Sequence, residues 1–225
     1  MLSKTSTFAL VAAIGLTSAA PTPAGGSSAP MSCAALWPGV LEDIWEGKPQ
    51  HIAYNTLSQE ASDPSQGHFG MGATWNGTAW TSREYTYASF DIPADAKNCA
   101  LWSSFPASKN DYEAIQGPLN PQVQTFSPST TLDSSDLTFW DVFPVGSAPN
   151  VEEFASTTLI AGQKTYIGPF DCSSASKAEF IVGIANMTGP NENEASVYQF
   201  RVNNTAPRHY GLVVTYGTQI CLPNF

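Results

Sequence analysis

Between Tyr85 and Pro106 the chain reads Y-T-Y-A-S-F-D-I-P-A-D-A-K-N-C-A-L-W-S-S-F-P, two runs of alternating character around a short polar break. Tyr85, Tyr87 and Ser89 fall on one side of a period of two, and Thr86, Ala88, Phe90 and Ile92 on the other. Aromatic and β-branched residues at that period suit a pleated, half-buried surface. Pro93 and the polar residues from Asp95 to Asn98 interrupt it as turn residues do. In the second run Cys99, Leu101, Ser103 and Phe105 share a face, opposite Ala100, Trp102 and Ser104. The middle of the chain is thereby committed to strands, and the stretch holds no catalytic constellation.

The same signal recurs along the chain. Further candidate strands are His51 to Leu57, His68 to Trp75, Gln122 to Phe126, Leu137 to Phe143, Thr157 to Ile160, Thr165 to Phe170, Glu179 to Ile184, Ser196 to Val202 and Tyr210 to Tyr216. Thr78 to Tyr87 and Ala88 to Ile92 are two more candidate strands. Short strands between Pro, Gly, Asn and Ser clusters argue for an antiparallel sandwich. The exception is Met31 to Glu46, where Leu41, Ile44 and Trp45 recur at helical spacing, with Pro38 near the start and Gly47 and Pro49 past the end. The expected fold is therefore all-β, a single antiparallel β-sandwich with one short N-terminal helix. Asn76-Gly77 predicts a two-residue type I′ turn pairing Trp75 with Thr78 and Ala73 with Trp80. Trp75 and Trp80 then share a face as diagonal neighbours.

Residues 1–20 have the parts of a secretory signal: Lys4, the apolar run Phe8 to Leu16, and the small residues Ser18-Ala19-Ala20. The run is shorter than the ~20 residues a bilayer span needs, so a membrane anchor is the lesser reading. Residues 21–32 read as a flexible, Pro-rich leader and residues 33–225 as the β-sandwich domain. Net charge is −10, more negative still once Lys4 leaves with the signal. A chain this acidic is a poor partner for nucleic acid.

Cys33, Cys99, Cys172 and Cys221 make an even count in an exported chain, which implies two disulfides with three connectivities open. Sequons at Asn76, Asn186 and Asn203 mark glycosylation sites if the host glycosylates proteins. His51, His68 and His209 lack ligand spacing, so no metal and no cofactor is expected. No nucleophile elbow, zinc motif or phosphate loop occurs, and no residue qualifies as catalytic. Nineteen scattered carboxylates read as a solvated surface, leaving a carboxylate-dependent hydrolase, acid protease or glycosidase, as the alternative to a non-enzyme. Trp75 and Trp80 are the candidate ligand-binding residues, since indoles on one face can stack on a sugar ring. Two tryptophans on one strand face more often make core.

S-F-D-I-P (Ser89 to Pro93) followed by C-A-L-W-S-S-F-P (Cys99 to Pro106) resembles a paired block of the fungal secreted family called the ubiquitin-3-binding-protein C-terminal domain. K-T-Y-I-G-P-F-D-C (Lys164 to Cys172) resembles its second block. H-Y-G-L-V-V-T-Y (His209 to Tyr216), ending near Cys221, is similar to its final strand. The resemblance covers Tyr85 to Cys221. It implies a β domain on fungal secreted or wall-associated proteins, mostly without assigned activity. It also implies the pairing Cys99–Cys172, because both cysteines lie in its core blocks, which leaves Cys33–Cys221. The interaction behind the family's name is not carried over, because export would separate this chain from the ubiquitin pathway. The expected partner is a wall polysaccharide or a host surface glycan; a purely structural wall component is a further alternative.

Overall fold

The computed structural model describes residues 33–53, 68–107, 112–116, 120–185, 197–205 and 208–222, with backbone alone at His68, 112–116, 197–205 and 208–209. The expected signal and leader therefore lie outside the described residues. So do Asn186 and most of the strand expected from His51.

The described strands form two antiparallel sheets. The smaller has four strands in the order β1 (Cys33–Leu36), β13 (Gly211–Gly217), β5 (Cys99–Ser104) and β9 (Lys164–Phe170). The larger has nine. Seven run in the order β12 (Arg208–His209), β11 (Val197–Thr205), β3 (His68–Trp75), β4 (Trp80–Asp91), β10 (Lys177–Ile184), β7 (Gln122–Pro128) and β8 (Val151–Thr158). In addition β2 (Val40–Trp45) pairs with β4, and β6 (Tyr112–Gln116) with β11. No helix among the described residues is long and apolar enough to cross a membrane.

The two sheets bury one core between them. Leu101, Ile167, Leu212 and Val214 come from the smaller sheet, and Leu41, Phe69, Met71, Phe90, Phe180 and Val182 from the larger. The larger sheet also carries a second core on its other face. There Ile44, Tyr85, Tyr87 and Ile181 lie under Leu137 and Val142. These last two belong to a covering segment that holds the short helix α1 (Phe139–Val142). The strands beneath it are thus buried on both faces.

That double burial corrects the expected N-terminal helix: residues 40–45 are strand β2, hydrogen-bonded along β4 from Val40 opposite Ser89 to Trp45 opposite Glu84. Leu41 faces one core and Ile44 the other, so their spacing of three, which reads as helical, serves two strand faces. Tertiary pairing has overridden local spacing. Residues 137–143 depart in the opposite direction, since four of them form α1. Thr138 closes the turn by donating from its N–H and its hydroxyl to Asp141 Oδ2, at 2.7 and 2.6 Å. This T-x-x-D pairing is the carboxylate half of a capping box.

The hairpin between β3 and β4 also differs from its expected register. Trp75 lies directly opposite Trp80, leaving four residues in the loop. Asn76 Oδ1 accepts from the Thr78 N–H, the Thr78 hydroxyl and the Ala79 N–H, at 2.9–3.0 Å. Gly77 takes φ +100°, a conformation L side chains rarely adopt. The amide of Asn76 closes a wider turn than the two-residue one that Asn-Gly predicts. Farther along, the register slips between Thr74–Thr81 and Gly72–Glu84, and the extra residue on β4 is a bulge in which Ser82 sits at φ +52°.

Candidate functional site

Both disulfides belong to the smaller sheet. Cys33 in β1 bonds Cys221, past the end of the partner strand β13, and Cys99 in β5 bonds Cys172, just past β9. This is the pairing implied by the resemblance, and it leaves no cysteine free.

The tryptophan pair is asymmetric. Trp80 is only 6% exposed, Trp75 is half-buried, and their rings meet edge-to-face at 5.6 Å and 61°. Such a pair presents no flat two-ring platform, and Trp75 alone offers a partly free face. Asn76 beside it is exposed at the hairpin tip, whereas at Asn203 the structure describes only backbone. His51 stacks on Trp45 at 6.0 Å, and Lys48 lies over the same indole at 4.8 Å. No cluster of three or more metal-ligating side chains occurs among the described residues.

Carboxylates converge on the outer face of the larger sheet. Glu42 of β2 lies opposite Tyr87 of β4 and is 1% exposed. Its Oε2 has no hydrogen-bond partner among the described residues. Burial, reinforced by the negative charge of Asp133, pushes its pKa up to about 8. Glu42 is therefore a neutral acid at pH 7. Beside it, the Tyr87 hydroxyl donates to Glu179 Oε1 at 2.7 Å, and the Leu132 N–H donates to Glu179 Oε2 at 3.3 Å. Burial first, then the bond to Glu179, raise the Tyr87 phenol. Asp133 is fully exposed and held low by the N–H and hydroxyl of Ser135. Glu179 also lines a hollow of about 450 Å³ shared with Asp171, Lys177, Phe154 and Phe170. Asp171 is held low by the N–H and hydroxyl of Ser173.

A second hollow, of about 470 Å³, opens where β2 ends beside the β4 bulge. Glu46 and Arg83 are tied together on its rim: the Glu46 N–H donates to the Arg83 carbonyl at 2.8 Å, and the Arg83 N–H donates to Glu46 Oε2 at 3.0 Å. The Arg83 side chain hydrogen-bonds the Tyr85 phenol, whose pKa burial nevertheless raises. Phe143 stands at the centre of the aromatic wall. Its ring lies 4.9 Å from Tyr85, 5.1 Å from Phe139 and 5.8 Å from Phe126, at 37°, 35° and 82°. Gln124 adds an amide. Asn150 fixes the wall by donating from its side chain to the Asp141 carbonyl and from its N–H to Val142.

None of these pocket residues was a candidate from sequence. Glu46, Arg83, Gln124 and Phe143 lie on four separate segments, and only the fold brings them together. A partial signal exists in the T-x-x-D of Thr138–Asp141, which places Phe139 and Phe143 one turn apart on α1 and its C-terminal end.

Residues 60–199 match the family described as the Ubiquitin 3 binding protein But2 C-terminal domain. The match spans the Cys99–Cys172 bond and ends before β13 and Cys221. Among curated proteins no match is found.

Proposed function

The chain belongs to the But2 C-terminal domain family, and from that premise we propose an exported protein of the fungal wall or its surroundings that acts by binding carbohydrate rather than by catalysis. The two sheets are read as one β-sandwich serving as its scaffold. The observation that carries the proposal is that all four cysteines are paired, the state an oxidising, extracellular setting maintains. The net charge of −10 disfavours nucleic acid as a partner. N-terminal sequencing of protein from culture supernatant is expected to begin near Pro21; full-length protein confined to the cytosol would reject export. Sedimentation with insoluble wall polysaccharide is expected to deplete the protein from solution.

The second reading, a carboxylate-dependent hydrolase, is favoured by one observation. Asp171 and Glu179 line the same hollow. Turnover of casein at acid pH or of a wall polysaccharide, abolished by Glu179→Gln or Asp171→Asn in a folded variant, would establish it and overturn the binding reading. Purified protein is expected to show none.

A further inference from the structure

We propose that the hollow between the β4 bulge and α1 is a binding site for a neutral saccharide ring, held by Glu46, Arg83 and Gln124 at its polar side and by Phe126, Phe139 and Phe143 at its aromatic side. The proposal deepens the carbohydrate reading above and rests on it.

The chemistry of the lining selects the ligand class. Glu46 and Arg83 cancel in formal charge, so neither an anion nor a cation gains net attraction. An anion meets Glu46 and the acidic chain, and a cation meets the Arg83 guanidinium. A purely apolar ligand would strip water from both charged groups and return nothing, a desolvation cost that hydrogen bonding must offset. A sugar ring satisfies both sides. Its hydroxyls accept from Arg83 and donate to Glu46, Gln124 does either, and its C–H face packs on an aromatic ring. The volume, about 470 Å³, lies in the range of small-ligand sites.

The backbone at the site is also specialised. Ser82 holds φ +52°, a left-handed conformation that costs a non-glycine residue energy, and it does so at the bulge that turns Arg83 toward Glu46. The Tyr85 ring, part of the lining of the hollow, packs against Gly183, where an added Cβ would come within 2.3 Å of it. Only glycine at 183 leaves the ring in that position. A bulge and a glycine thus set the polar and aromatic sides of one cavity.

The test begins with the full exported chain on a glycan array carrying β-glucan, chitin and mannan oligosaccharides, followed by calorimetric titration with the best-bound oligosaccharide. Arg83→Gln and Glu46→Gln are expected to weaken binding about tenfold or more, the loss of one or two charge-assisted hydrogen bonds. Phe126→Leu gives an independent measure from the aromatic side. Trp75→Ala tests the competing hairpin site; Trp75 is not part of the lining of the hollow, and the change is expected to leave affinity within about twofold. Unchanged melting temperatures establish that each variant is folded. Binding that survives both polar variants overturns the pocket, and its loss in Trp75→Ala would move carbohydrate recognition to the hairpin. Absence of binding to every saccharide on the array overturns both the pocket and the reading beneath it.

Discussion

The two sheets solve the same problem by opposite means. Each pair of neighbouring strands at the ends of the smaller sheet, β1 with β13 and β5 with β9, is closed by a covalent bond. The larger sheet has no disulfide. It relies instead on burial on both faces, and it buries polar groups in doing so: Glu42, Glu84, Thr86 and Thr125 are all under 9% exposed. Thr86 shows how some of these are satisfied. It accepts from the Gly70 N–H at 2.9 Å and donates to the Gly70 carbonyl, joining β3 to β4 through a side chain. Glu42 shows the remainder, an acid left without a described partner on one oxygen. The unstapled sheet carries Glu42, Tyr85 and Tyr87, whose pKa values burial raises, and its strands supply most of the lining of both hollows.

The largest effect that could break this contrast is removal of a staple. Cys99–Cys172 closes 73 residues and Cys33–Cys221 closes 188, so the chain-entropy model gives ~4–5 kcal/mol for each, reduced by any native strain. Cys99→Ser with Cys172→Ser is expected to lower unfolding stability by ~3–4 kcal/mol in urea denaturation. Hydrogen exchange sharpens the point. Amides of β5 and β9 are expected to lose protection before those of β4 and β10, and uniform loss across both sheets would show that the division has no energetic meaning.

Next comes the acid on the other sheet. The folded-state pKa of Glu42 is raised to about 8, so between about pH 5 and pH 8 the folded chain holds a proton that the unfolded chain has released. Stability must then fall as pH rises through that window and level off above it. Glu42→Gln is expected to remove this slope and to stabilise the protein at pH 8 by ~2–4 kcal/mol, with little change at pH 4. Melting temperatures across pH 4–9 decide it. Parallel profiles for wild type and variant would mean that the carboxyl finds a partner or water that lowers its pKa.

A smaller effect is expected at the base of the aromatic hollow. An alanine Cβ at position 183 would lie 2.3 and 2.4 Å from two Tyr85 ring carbons. Gly183→Ala should therefore cost ~1–3 kcal/mol, the usual range for overpacking. It should also displace Tyr85 against Phe143. A melting temperature within a degree of wild type would show that the ring has room to move.

How much of this was legible in the chain depends on how many faces a strand buries. The run His68–Trp75 and the strands β9, β10, β11 and β13 can be read because short apolar runs end at recognisable turn residues. The alternation of Cys99, Leu101, Ser103 and Phe105 is visible because Trp102 and Ser104 of β5 remain half-exposed. In β2 that contrast vanishes, since Leu41, Glu42 and Ile44 are all buried, and spacing alone then mimics a helix. No local signal marks Glu42 as buried, because its neighbours include Tyr87 of β4 and the distant Asp133. The hollow escapes for the same reason. Each of its groups is ordinary in its own segment, and the Ser82 bulge that aligns Arg83 with Glu46 has no sequence mark.

The smallest prediction concerns the hairpin tip of the larger sheet, where neither a staple nor a core does the work. Asn76 is both a turn residue and a sequon, and its side chain has a defined structural task. One oxygen, Oδ1, accepts three hydrogen bonds from Thr78 and Ala79. These bonds are exposed, so each contributes little net stability, and Asn76→Ala is expected to cost only ~1 kcal/mol. Asp in the same place keeps the acceptor and should restore most of that loss, since aspartate closes such turns equally well. The sequon adds a separate readout. Thr78, its third residue, spends its hydroxyl on Oδ1, and Asn76 itself is exposed at the hairpin tip. Peptide mapping of the exported protein is expected to find Asn76 modified, and the glycan should leave the turn's three bonds intact. A melting temperature that drops with Asn76→Asp as far as with Asn76→Ala would place the stabilisation in the glycan rather than in the turn.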